Sequence, residues 1–183
     1  MNQDHSIRND MRIISGQLKG QTFNNISNTT HPMSEKIRGG LFNILGDIEG
    51  LALLDCYAGT GAIAFEAVSR GAESAVLVES NKKAQKSIAD NIRSLNLETK
   101  IKLVSNSVSG FINSNDQSFN LVVCDPPFDQ PIDIETILRL EPLVKLGGLL
   151  ILSLPKNCND PKFKTLVEIK SKIYGEARLV FFR

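Results

Sequence analysis

The sequence predicts an α/β fold built on a mostly parallel sheet, and three observations carry that prediction. From residue 51 onward, short apolar runs alternate with amphipathic segments, the pattern of βαβ units. A glycine-rich turn, Gly59-Thr60-Gly61, follows the first of those runs, where open α/β sheets bind ligands. The chain closes on two apolar runs around Tyr174-Gly175-Glu176, which read as an antiparallel hairpin.

The elements follow in order. Residues 11–15 and 18–23 read as two short strands around Gly16, a small N-terminal hairpin. An Asn/Ser/Thr-rich loop over 24–32 contains His31, read as a loop residue because no partner for a catalytic base is identifiable. Ser34 then caps a helix in which Ile37, Leu41, Ile44 and Leu45 recur at helical spacing. Gly39 and Gly40 lie inside it at a cost of about 1 kcal/mol each relative to Ala. Either packing outweighs that cost or the pair allows close approach of a bound partner. Strands are expected at 51–55, 74–79, 100–104, 120–124 and 149–154, with helices at 61–70, 81–95 and within 134–145. Gly147-Gly148 is read as a break, and the closing hairpin spans 166–173 and 177–182. The domain division is residues 1–46, a tail and extension, and 47–183, the ligand-binding domain.

At 183 residues and 42% hydrophobic content the chain can bury one sizeable core with a small appendage. No stretch approaches the ~20 consecutive apolar residues of a membrane span, and the first ten residues are polar rather than a signal peptide. The expected location is the cytoplasm. Cys56, Cys124 and Cys158 are far apart and form no CxxC, which argues against a disulfide framework or a zinc site. They read as small buried side chains, and no metal is expected. The net charge of +1 does not announce a nucleic-acid binder. The first 46 residues carry Arg8, Arg12, Lys19, Lys36 and Arg38 against Asp4, Asp10 and Glu35, a slight basic excess that permits phosphate contact.

Two constellations carry chemistry. In Asp55-Cys56-Tyr57-Ala58-Gly59-Thr60-Gly61-Ala62 the glycines let backbone approach a ligand, and Glu79, ending the second strand, can accept ribose hydroxyls. The glycine pattern alone also suits a nicotinamide enzyme. Asp55 favours S-adenosylmethionine, which has an ammonium to bind and no pyrophosphate to cradle. The second constellation, Asp125-Pro126-Pro127-Phe128, falls at the end of the fourth strand, beside the first. An exocyclic amine on a base is a poor nucleophile because its lone pair is delocalised into the ring. Asp125 and the Pro126 carbonyl can each accept an N–H and draw the nitrogen toward tetrahedral geometry. Phe128 offers a stacking face worth roughly 1–3 kcal/mol.

On these residues, and on Met11-Arg12-Ile13-Ile14-Ser15-Gly16, Leu41-Phe42-Asn43-Ile44-Leu45, Ser69-Arg70-Gly71-Ala72 and the Tyr174-Gly175 turn, the chain resembles the bacterial small-subunit rRNA guanine-N2 methyltransferases of the RsmD type. The resemblance covers residues 11–183. It implies a Rossmann-like class I fold of seven strands, dependent on S-adenosylmethionine, with an N-terminal extension that helps grip RNA. The implied cofactor-binding residues are Asp55, Tyr57, Gly59, Gly61, Glu79 and Ser107, the last standing where the family tends to have Asp. The implied catalytic residues are Asp125, Pro126 and Phe128, the phenylalanine replacing a commoner tyrosine. Arg12, Lys19, Lys36 and Arg38 are expected to meet RNA phosphates, and His31-Pro32-Met33 replaces the family's Arg-Pro-Thr. The expected activity is methylation of guanine N2 in 16S rRNA, free or in an assembled ribosomal particle, by a monomer that uses neither membrane nor metal. The alternatives are an N6-adenine methyltransferase on DNA or RNA, a nicotinamide dehydrogenase, and a non-catalytic RNA-binding module.

Overall fold

Short runs rich in Val, Leu and Ile, each buried on both faces, form the centre of a seven-stranded sheet in the computed structural model, which describes residues 10–25 and 33–183. The readings of the N-terminal tail and of His31-Pro32 lie outside the described residues. Two strands of the extension, β1 (Met11–Arg12) and β2 (Thr22–Phe23), pair antiparallel apart from the main sheet. That sheet contains β3 (Ala52–Cys56), β4 (Ser74–Glu79), β5 (Ile101–Ser105), β6 (Phe119–Cys124), β7 (Val144–Pro155), β8 (Glu168–Tyr174) and β9 (Ala177–Phe182), in the order β5-β4-β3-β6-β7-β9-β8. The first five run parallel, and β8 and β9 form the antiparallel edge. Strand order reverses between β3 and β6, which opens a crevice at their carboxyl ends.

Alternation along the strands sorts side chains to two layers. Leu53, Leu77, Val123, Ile151 and Phe181 join a cluster with α1 (Glu35–Leu45), α2 (Ala62–Ser69) and α3 (Lys82–Ser94). Leu54, Cys56, Val78, Cys124, Leu152 and Val180 meet α4 (Val108–Ser114) and α5 (Ile134–Leu138) on the other face. Cys56 and Cys124 are fully buried thiols directly opposite each other on adjacent strands, while Cys158 is half-buried.

Several boundaries differ from expectation for identifiable reasons. The N-terminal strands shrink because the backbone between them turns away to α2. Glu66 accepts from Ile14 N at 2.8 Å and Ser15 N at 3.1 Å, and Ser69 takes Gln17 N on its carbonyl and Leu18 N on its hydroxyl. Gly16 is required at this contact: its φ is +85°, and a Cβ there would lie 1.8 Å from the Ser69 carbonyl oxygen. In α1, Gly40 makes room for an aromatic ring, since a Cβ would stand 2.0 Å from the Tyr174 hydroxyl. Packing thus accounts for one of the two costly glycines. Helix α4 was not expected, because Val-Ser-Gly-Phe-Ile-Asn-Ser has poor helix propensity. Gly147-Gly148 is not a break: β7 continues through it, with a register shift opposite residues 119–121. The helix within 134–145 ends at Leu138 and is followed by a 3-10 turn, Glu141–Leu143, whose Pro142 lacks a backbone donor.

Candidate active site

Strand β3 delivers Asp55 and Cys56 to the crevice, and the chain then reverses through a loop with unusual backbone. Tyr57, Gly59 and Gly61 have φ of 64°, 57° and 79°. Tyr57 is the one non-glycine among them, held in the left-handed region at a cost of order 1–3 kcal/mol. Gly61 caps α2 and is needed for packing, because a Cβ would fall 2.8 Å from the Phe65 ring. Gly59 is needed for its positive φ, and its N–H donates to Glu79 Oε2 at 2.8 Å.

Glu79, at the end of β4, also accepts from Asn81 N at 2.7 Å through Oε1. Two backbone donors fix the carboxylate, and its remaining lone pairs can receive a diol. Tyr57, Glu79 and Ser107 come together in one cleft with Asn106, Asp133 and Thr136. Ser107 is the N-cap of α4, its hydroxyl accepting from Gly110 N at 3.0 Å. Burial pushes the Tyr57 phenol up to about 12, so it stays protonated and able to donate.

Asp55 lies beneath the loop, completely buried, and neither carboxylate oxygen has a hydrogen-bond partner among the described residues. Burial raises its pKa well above the ordinary carboxylate range, and the nearby Asp125 and Glu79 add to the rise. A weak pull from the Ala64 N–H opposes it without meeting full hydrogen-bond geometry. Three carboxylates at the carboxyl ends of β3, β4 and β6 favour a ligand that brings positive charge.

Asp125 follows β6 directly and is half-buried. Desolvation raises it to about 6, opposed by the nearby Ser153 hydroxyl on β7. Its pKa therefore lies above the ordinary carboxylate range. Pro126 is buried behind it, while Phe128 stands 43% exposed, its ring available to a partner. Asn106, Asp133, Thr136 and Ser153 escaped the sequence reading. The spacing Asp133 to Thr136 was an available signal, since Asp133 caps α5 by accepting from Thr136 N at 3.0 Å and Oγ1 at 2.6 Å. Ser153 had none, because it meets Asp125 only through sheet register. Among the described residues no group of three or more His, Cys, Asp or Glu is placed to hold a metal ion, and no helix is long and apolar enough to cross a membrane.

Of the basic residues expected to face RNA, Lys19 and Lys36 are exposed and Arg12 is exposed beside Glu35 at 3.3 Å. Arg38 requires correction. It is fully buried, pairs with Glu66 at 3.6 Å and donates to the Arg12 carbonyl at 2.6 Å, so its guanidinium braces the extension from within.

Comparison with known proteins agrees with this arrangement. A family model described as "Conserved hypothetical protein 95" matches residues 11–183. The chain is 35% identical to the ribosomal RNA small subunit methyltransferase D of Buchnera aphidicola subsp. Acyrthosiphon pisum, over 70% of this chain and 69% of that one. It is 34% identical to the protein of the same name from Escherichia coli strain K12, over 75% and 70%. A solved hypothetical protein from Thermus thermophilus superposes with a TM-score of 0.80 at 27% identity, over 93% of this chain and 98% of that one. The chain belongs to the conserved hypothetical protein 95 family, that of the ribosomal RNA small subunit methyltransferase D proteins.

Proposed function

We propose that this protein transfers a methyl group from S-adenosylmethionine to N2 of a guanine in 16S rRNA. The observation that supports this best is the placement of Asp125-Pro126-Pro127-Phe128 across the strand-order reversal from the Tyr57/Glu79/Ser107 cleft, with the buried Asp55 close enough to feel the charge of both Asp125 and Glu79. Glu79, Tyr57 and Ser107 line the side of the cleft that suits a nucleoside, with Gly59 and Gly61 shaping the loop above it. The unpartnered Asp55 carboxylate suits an ammonium. When bound, S-adenosylmethionine supplies an electrophilic methyl on a sulfonium.

The protein's own contribution is orientation and electrostatics. Phe128 stacks on the target base. Asp125 and the Pro126 carbonyl accept the two N–H bonds of the amine and direct its lone pair at the methyl. As the amine becomes cationic, Asp125 stabilises it and takes its proton, a role suited to a pKa of about 6. In this reading residues 1–46 form an RNA-gripping extension through Arg12, Lys19 and Lys36, and residues 47–183 form the catalytic domain. The protein works as a cytoplasmic monomer on rRNA, free or assembled into a ribosomal particle.

The test is incubation of the purified protein with methyl-labelled S-adenosylmethionine and unmethylated small-subunit rRNA or particles, followed by mass spectrometry of the digested nucleosides. The expected product is N2-methylguanosine. Label in N6-methyladenosine, or none in RNA alongside intact cofactor binding, would overturn the assignment.

A further inference from the structure

The edge strand β8 is exposed along nearly its whole length, but its two faces differ in character. Lys170 pairs in register with Phe181 and Lys172 with Leu179, so both lysines rise on the face that carries α1, α2 and α3. Ser171 and Ile173, opposite Val180 and Arg178, rise on the other. At the end of the strand Tyr174 lies on the lysine face and fills the space left by Gly40 of α1. The Lys172 ammonium stands 5.2 Å over the Tyr174 ring, a cation–π contact that fixes the base of the charge while leaving its outer side in water.

Lys36 sits one helical turn before Gly40 and so shares its side of α1. Because α1 leads down to the start of β3, its first turn lies toward the carboxyl ends of the strands, where Asp125 and Phe128 are. Lys36, Lys172 and Lys170 thus follow one another in a stripe along the edge of the sheet, from the level of the carboxyl ends of the parallel strands downward. None of the three has an ion pair among the described residues. Glu168 rises on the opposite face, and Glu176 is engaged by Lys156 at 2.7 Å.

We infer that this stripe is a second RNA-backbone surface, in which Lys170 and Lys172 on β8 continue from Lys36 and hold phosphates flanking the target guanine. The inference rests on the rRNA reading above and extends it to an element outside the N-terminal segment. Unpaired ammonium groups at alternate positions on a strand, about 6.6 Å apart, complement a polyanion without reading its sequence. The stripe therefore contributes affinity and register, and base selection stays with the cleft.

The experiment compares the full-length protein with Lys170→Gln/Lys172→Gln in titrations of small-subunit rRNA over a range of salt, with S-adenosylhomocysteine calorimetry and sedimentation in parallel. Weaker RNA binding is expected, with a salt slope shallower by about 1.4–1.8, since each phosphate contact contributes about 0.7–0.9. Cofactor-product affinity should be unchanged, and Lys170→Arg/Lys172→Arg should restore the slope. A glutamine variant with the wild-type slope overturns the inference and leaves the rRNA reading standing. So does a variant whose one change is self-association, which would make the lysines guards of an exposed sheet edge. Wild-type protein with no affinity for small-subunit rRNA overturns the rRNA reading itself.

Discussion

A carboxylate at the end of β6 is held where water is scarce, and the resulting pKa of about 6 for Asp125 has consequences for both rate and stability. In the proposed mechanism the charged form accepts the amine's hydrogens, so single-turnover rates should rise with pH through about 6 and then level. Asp125→Asn keeps an acceptor oxygen but cannot take the proton; it should lose about 10²–10⁴-fold and show no such rise. Stability should move the opposite way. The folded state binds the Asp125 proton more tightly than the unfolded chain does, so ionisation penalises folding at every pH above about 6. Asp125→Asn should therefore stabilise the protein by about 3 kcal/mol at pH 7 to 8. The gain should shrink as pH falls through 6 and vanish below about 4, where the aspartate is protonated in both states. Asp55, also raised, leaves pH dependence of its own in the variant. Urea unfolding across pH measures this, and equal stability of the two proteins at pH 7 would mean that Asp125 is not desolvated.

Helix α2 joins the extension to the glycine loop. It begins at Ala62, immediately after Gly61, and its buried Glu66 gathers Ile14 N, Ser15 N, Arg38 and Arg70, the last at 2.7 Å. Asn91 of α3 adds a second clamp, accepting from Asn24 N and donating to Asn24 O. The extension is thus fastened by side chains that point inward, with Ile13 and Phe23 in the same apolar cluster as the sheet. Glu66→Ala would leave a buried guanidinium and two backbone N–H groups without their acceptor. Chemical denaturation should register a loss of about 3–5 kcal/mol, with Glu66→Gln losing less because it retains an acceptor oxygen. A loss under about 1 kcal/mol would mean that the extension is held by its apolar contacts alone.

At the scale of the molecule, what the sequence revealed depended on how local the cause was. The glycine loop and the Asp125-Pro126-Pro127-Phe128 turn are contiguous, and their flanking strands are continuous apolar runs, so their places at the carboxyl ends of β3 and β6 were legible. Arg38 was misread because its partner lies on a helix far along the chain, and a lone arginine in an amphipathic pattern looks like surface. Ser153 and the edge-strand lysines acquire meaning only from register with β6 and β9. Helix α4 depends on a cap and packing that outweigh poor propensity. Central to the proposed function is the action of Asp125 on the target amine. Its most direct test is single-turnover methylation of small-subunit rRNA by Asp125→Ala, with S-adenosylhomocysteine affinity measured on the same preparation. The account predicts that transfer is abolished while that affinity stays within a few-fold of wild type; full single-turnover activity in Asp125→Ala would contradict it.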